Sequence, residues 1–392
     1  MSRIKEIKRK NHLKDRRYKR RKRILYIETA VLILLLFLAI IIGVNKFILS
    51  PKEEPSQETT EETPKFSIKN LFIEDKSSEP VKITISSMGD CTLGRDEFNN
   101  YSTSLNAYYE TQGADYFFKN VRSILEADDL SIVNFEGTLT ESTTRMDKTY
   151  AFKAPAEYTK ILTGSSVEAA NLANNHSKDY GEQSLSDTIA NLDEAGIVNF
   201  GYDRTQIVDV KGVKVGLTGI YELAEHLGKK KEVKDNIAKL KEEGAQVIIV
   251  NFHWGIEREY VPNSTQVELA HLAIDEGADL VIGHHPHVLQ GIEKYKGKYI
   301  AYSLGNFCFG GNKNPQDKDT MIFQQTFTVT EDGVEINDDI NIIPCSLSSV
   351  SNLNDYCPTP LEGDAAQRIL DKLEKYSEGL SKTPDPVTEE NE

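Results

Sequence analysis

Five apolar, strand-like runs in this chain end in the same way, and that repetition limits the fold more than any other feature. Val81–Met88 ends in Gly89-Asp90, and Leu130–Val133 ends in Asn134-Phe135-Glu136. The apolar run Val167–Leu172 leads to Asn174-Asn175-His176. Val247–Val250 ends in Asn251-Phe252-His253-Trp254, and Leu280–Ile282 in Gly283-His284-His285-Pro286-His287. A further strand is expected over Val213–Ile220, and helical spacing separates the strands at Ala114–Ala127, Gln183–Ala195, Val233–Glu243 and Thr265–Glu276. Strand, helix, strand at these lengths predicts an α/β layered fold. Ligands of such folds bind beyond the carboxyl ends of the strands, so five segments bring Asp, Glu, Asn and His to one edge. Toward the C-terminus Lys298–Ser303, Met321–Val329 and Val334–Ile343 follow one another with no helix between them. Consecutive strands of this kind predict a mixed sheet, or a second sheet packed on the first.

The net charge of −15 hides an asymmetry. Residues 1–23 carry 13 Lys/Arg and 2 Asp/Glu, a net of +11, and the remainder carries −26. An acidic body argues against nucleic acid as a partner. The basic head runs into Ile24–Val44, which is apolar except for Tyr26, Glu28 and Thr29. Such a run spans about 32 Å as a helix, enough for a bilayer core, and the cations place the N-terminus inside. A cleaved signal peptide or a buried core helix are the alternatives. Gly43-Val44-Asn45-Lys46-Phe47 has no small-residue cleavage pattern, and a core helix has no use for the flanking charge. The expected organisation is a basic cytoplasmic head (1–23), a single-pass transmembrane anchor (24–47) and an acidic flexible spacer (48–80). An extracytoplasmic domain (81–376) and a flexible tail (377–392) follow.

Carboxylate, amide and imidazole at one sheet edge suit a pair of divalent ions such as Mn, Zn or Fe. Each piece alone has a plainer reading. Gly-Asp after a strand is a common turn, an Asn-His pair is often a cap, and His-His-Pro-His can be a surface turn. Five such ends together favour one shared site. His271 falls inside an expected helix, and His12 and His226 lie away from any strand end, so these three read as packing or surface residues. Trp254, the only Trp, reads as packing beneath the site. The sequence contains no G-x-S-x-G elbow, Walker loop or G-x-G-x-x-G turn.

The chain resembles the CapA (PgsA) capsule-synthesis family of poly-γ-glutamate producers, within the calcineurin-like metallophosphoesterase superfamily. The resemblance covers about Ile83 to Phe309. It rests on Met88-Gly89-Asp90 with Leu93-Gly94-Arg95, on Val133-Asn134-Phe135-Glu136, and on Ala173-Asn174-Asn175-His176 with Asp179-Tyr180-Gly181. It continues in His253-Trp254-Gly255, in Gly283-His284-His285-Pro286-His287-Val288-Leu289, and in Tyr302-Ser303-Leu304-Gly305-Asn306-Phe307. The resemblance implies a layered metallophosphoesterase-like fold with mixed sheets flanked by helices. It implies two divalent metal ions held by Asp90, Glu136 (as the bridging carboxylate), Asn175, His253, His285 and His287. His176 would be a phosphate contact or general acid, and Asp179 would orient it. Two departures stand out. Thr92 occupies the place where typical phosphoesterases carry a His, and Ser177 replaces the acid that usually follows the Asn-His pair.

For function, the resemblance implies capsule or poly-γ-glutamate synthesis or export at the cell membrane, alongside polymer-synthase membrane subunits. The ligand would be an anionic polymer or a phosphoester. The alternatives are a non-catalytic scaffold of the synthase, or a cell-envelope phosphodiesterase unrelated to capsule. Arg95 beside Gly94, and Arg145, Lys148 and Lys153 after Glu136, read either as solvated surface charge or as a patch that draws in an anion. Arg95 and Lys153 are the expected substrate contacts. Of the four cysteines, Cys345 and Cys357 are the pair near enough in sequence to bridge, with free thiols the default.

Overall fold

The computed structural model describes residues 79–380. The basic head, the apolar run Ile24–Val44, nearly all of the spacer and residues 381–392 lie outside the described residues. Among those described, no helix is long and apolar enough to cross a membrane.

Two large sheets form the centre. The first runs Thr359–Pro360, Ile340–Ser346, Asp319–Thr330, Val81–Thr92, Leu130–Phe135, Ala169–Asn171, Val198–Phe200 in spatial order. Its last four strands are parallel, and Asp319–Thr330 runs antiparallel to Val81–Thr92. The short strand Asn306–Phe309 joins the end of Val81–Thr92 in parallel. The second sheet runs Ile292–Tyr295, Lys298–Ala301, Leu280–His284, Val247–His253, Val213–Tyr221, Gln206–Val210, with its four central strands parallel.

The two sheets face each other. Ile83, Ile85, Leu130, Ile132 and Phe323 of the first sheet pack with Val215, Leu217, Ile249 and Ile282 of the second in one buried cluster. Each outer face is covered by helices. Leu105, Leu125, Ile161 and Leu192 cover the first sheet. The helices Lys230–Glu242 and Ser264–Asp275 lay Ile237, Leu240, Leu269 and Ala273 on the second. The result is a four-layer α/β/β/α arrangement of mixed sheets. Strands such as Val247–His253 are buried at every residue, as parallel strands covered on both faces must be.

Two expectations change. Ala114–Ala127 is not one helix but a 3-10 turn at Ala114–Tyr116 and one short helical turn at Arg122–Leu125. Phe117 and Phe118 are adjacent and both fully buried, and the chain coils around them instead of presenting a single stripe. Val334–Ile343 is not continuous, because strands Gly333–Val334 and Ile340–Ser346 flank a loop in which Asn337 Oδ1 accepts from the Asp339 amide. Such Asx turns compete with a sheet ladder. Helices Leu105–Gln112 and Gly363–Ser377 carried no prior expectation. All four cysteines are buried free thiols, Cys345 and Cys357 included.

One irregularity sets up the site. The pairing of Val81–Thr92 with Leu130–Phe135 slips between Ser87 and Asp90. Met88 and Cys91 therefore both pack into the helix-side core, three residues apart, which regular alternation forbids. The extra residue inverts the alternation. Cys91 goes to the core, and Asp90 faces the histidine loop instead.

Candidate metal centre

The carboxyl ends of the parallel strands of both sheets meet at one place, and the polar strand ends converge there. Asp90 is fully buried. Its Oδ1 accepts from Asn134 Nδ2 at 2.8 Å, and its Oδ2 lies 3.1 Å from His287 Nδ1. The second oxygen also faces the His285 amide at 3.4 Å. Glu136, just past its strand, is buried too, and three imidazoles surround it. Its Oε1 is 3.7 Å from His253 Nε2 and 3.9 Å from both His176 Nε2 and His287 Nε2. Neither oxygen of Glu136 has a hydrogen-bond partner among the described residues. Glu136, His285 and His287 offer ligand atoms that all lie within 4.8 Å of one another.

An orphaned buried carboxylate is costly unless a cation completes it. Burial, and then the charge of Asp90, push the Glu136 carboxyl well above its usual range. Burial opposes charge on His287, but Glu136 and Asp90 outweigh it and raise the ring to about 10. Burial lowers His285 to about 3 and His284 to about 4, and holds His253 well below the ordinary imidazole value. The neutral imidazoles of His253 and His285 are ready donors for a divalent ion, and binding one beside Asp90 and Glu136 would displace the protons that His287 and Glu136 hold without it. His285 and His287 also have positive backbone φ, 95° and 57°, a strained conformation for non-glycine residues and common at functional sites.

Asn175 Oδ1 is 2.7 Å from His253 Nε2, so this side-chain amide also enters the cluster. His176 Nδ1 sits 2.8 Å from Asp179 Oδ2. Asp179 is fully buried and accepts from the Phe152 amide and from Lys148 Nζ, each at 2.6 Å. Lys148 thus belongs to the wall of the site and does not sit on an open surface patch. Asp179→Asn should lower the unfolding free energy by about 1–3 kcal/mol, because Lys148 loses its charged partner and one amide donor faces another donor. Urea unfolding of the variant would measure this, and an unchanged midpoint would remove Asp179 from the account.

Arg95 and Lys153 do not reach the cluster. Arg95 is held by the carbonyls of Asp96, Glu97 and Asn99 and lies over the Tyr101 ring. Lys153 donates to the Ser142 carbonyl and covers Tyr180. Both belong to strands of a small three-stranded sheet, whose pairing turns them away.

Several site residues had no role in the sequence reading. Asn134 contacts both Asp90 and His253 Nδ1, the latter at 3.3 Å, and is itself held by Asn171 Nδ2 at 2.9 Å. Two-residue alternation from Glu136 was the available signal for it. His284 Nδ1 lies 3.7 Å from Asp90, and Asn306 Oδ1 lies 3.0 Å from His287 Nδ1. Trp254 packs beneath the site, stacked on Phe252 with ring centres 4.3 Å apart.

The chain matches the sequence family described as bacterial capsule synthesis protein PGA_cap over residues 84–311. It is 32% identical over 302 residues to the capsule biosynthesis protein CapA of Bacillus anthracis, covering 70% of each chain. It is 33% identical over 255 residues to the PGA biosynthesis protein CapA of Bacillus subtilis (strain 168), covering 58% of this chain and 63% of that one. Among solved structures, it is similar to a 5'-nucleotidase from Candida albicans SC5314, with a TM-score of 0.41 and 10% identity over 78% of this chain and 59% of that one.

Proposed function

The chain belongs to the bacterial capsule synthesis protein family PGA_cap, and from that premise we propose that it serves capsule-polymer synthesis or export through a dinuclear metal centre. The polymer in this reading is poly-γ-glutamate, the body sits outside a membrane anchored by Ile24–Val44, and synthase membrane subunits are its partners. The observation that carries the metal centre is Glu136, whose two buried oxygens lack hydrogen-bond partners among the described residues while three imidazoles face them.

When bound, two divalent ions would polarise a phosphoryl or carbonyl oxygen and acidify a water. Asp90, Glu136, Asn175, His253, His285 and His287 are the residues that would hold them. The other roles belong to the protein's own side chains. Lys148 pairs with Asp179, and Asp179 holds the proton on His176 Nδ1. His176 Nε2 then faces the cluster and can accept a proton or return one. Phe152 packs against the same ring, with centres 4.6 Å apart, and restricts its motion.

Elemental mass spectrometry of the purified full chain tests the centre. About two metal ions per chain are expected by the logic of paired-metal sites, falling in His285→Ala. No metal after loading with Mn, Zn or Fe would end the hydrolase reading. Thr92 favours a second reading, a scaffold that binds without catalysis. It is fully buried two residues past Asp90 and supplies no imidazole there. If His285→Ala abolishes polymer while the synthase complex still assembles, the scaffold reading fails.

A further inference from the structure

The cleft beside the cluster is large, about 1090 Å³, and His176, His287 and Asn306 are a minority of the residues that line it. That volume is just above the roughly 300–1,000 Å³ found for sites that enclose whole small molecules. A ligand that fills it extends well past any reacting group at Glu136. The same cleft is lined by Arg258, Lys318, Arg368 and Lys372.

These four cations are not equivalent. Arg368 is paired with both oxygens of Asp319, and Lys372 with Asp317 at 2.7 Å. Lys318 has no acidic partner among the described residues and donates to Asn314 Oδ1 at 2.7 Å. The Arg258 guanidinium has no hydrogen-bond, ion-pair or ring partner among the described residues. Its backbone is nonetheless tightly placed. The Arg258 amide donates to the Pro286 carbonyl at 2.8 Å, between His285 and His287, and its φ is +65°. A non-glycine residue held in the left-handed region, latched to the histidine loop, lining the cleft and exposed with a side chain unpaired among the described residues, is placed for a ligand. The neighbouring Glu257 also lines the cleft and repels a second carboxylate, so the arginine must act at contact range. The acidic body imposes the same limit, because its −26 repels polyanions at distances where no local cation helps.

We propose that Arg258, with Lys318 in the same cleft, is an anion subsite that takes a second oxyanion, carboxylate or phosphate, of an extended acidic ligand whose reacting group lies at the Glu136 cluster. This rests on the metal-centre reading for the position of the reacting group. A planar guanidinium suits either oxyanion through paired N–H donors.

The test is calorimetric titration of the full chain in detergent, metal-free and Mn-loaded, with metal content measured in parallel. The probes are γ-linked triglutamate and 1,3-propanediol bisphosphate. Arg258→Ala should weaken binding of at least one probe by about 10- to 100-fold, as loss of a charge-assisted hydrogen bond does, with metal content unchanged. Arg258→Lys should recover part of the affinity, and the exposed-surface control Lys231→Ala should change nothing. The probe that loses affinity identifies the oxyanion. Equal affinity of wild type and Arg258→Ala for both probes would overturn the subsite, as would wild type that binds neither. If the wild type holds no metal, the centre fails on its own, and a loss of binding in Arg258→Ala would still uphold the subsite.

Discussion

Glu136→Gln is expected to stabilise the metal-free protein and to abolish its stabilisation by divalent ions. In the wild type, two buried oxygens of Glu136 have no partner among the described residues, and burial and the charge of Asp90 hold its carboxyl well above the usual range. An unsatisfied buried polar group costs about 1–3 kcal/mol. Glutamine has the same shape and no charge, and its NH₂ can donate to an imidazole nitrogen of the ring of histidines. A gain of about 1–2 kcal/mol without metal follows from removing that orphan. The metal response has the opposite sign. A ligand present at a hundred times its Kd stabilises the wild type by about 2.7 kcal/mol, and the variant should lose nearly all of this. Urea unfolding with chelator, and again with Mn or Zn, measures both. A variant less stable than wild type in chelator that still responds fully to metal would show Glu136 to be an ordinary buried acid.

Gly283→Ala should be the most damaging single methyl in the second sheet. A Cβ at Gly283 would sit 1.9 Å from the Tyr302 carbonyl oxygen and 2.4 Å from Trp254 Nε1. Those two atoms are hydrogen-bonded to each other at 2.9 Å, and both residues are fully buried. Neither can swing away. The carbonyl is backbone, and the indole is stacked between Phe252 and Tyr302. Overpacking of this kind costs about 1–3 kcal/mol and more where backbone must move, so a loss of about 3 kcal/mol is expected. The displaced strand carries His284 at its end, directly before His285 and His287. Thermal unfolding should therefore fall together with metal content. A variant that melts like wild type would show that the strand can shift, and that the site does not depend on this contact.

Much of the site was legible because its residues stand at strand ends. Asp90, Glu136, Asn175, His176, His253, His285 and His287 each follow an apolar run, and parallel strands put their carboxyl ends on one edge. The α/β alternation was legible for the same reason, since helices Glu182–Glu194, Lys230–Glu242 and Ser264–Asp275 have clear apolar faces. The segment 114–127 was not, because its buried aromatics follow one another instead of recurring at a helical period. Asn134 and His284 had no assigned role because their partners, Asp90, Asn171 and His253 for the first and Asn251 and Asp90 for the second, lie far away in sequence. Arg95, Lys148 and Lys153 looked alike as cations in loops. Lys148 alone reaches a buried carboxylate of the site, across 31 residues of sequence.

Local pattern and charge, read along the chain, determined the layered α/β class, the family resemblance and the set of polar strand ends, because these depend on residues near one another in sequence. Only the tertiary structure decided which cations face the cleft, that a bulge between Ser87 and Asp90 turns the carboxylate toward His287, and that Glu136, facing three imidazoles, has no hydrogen-bond partner among the described residues. Those outcomes follow from pairing between strands far apart in sequence and from the packing of one sheet on another. Both are long-range geometric constraints, and neither leaves a local periodicity to read.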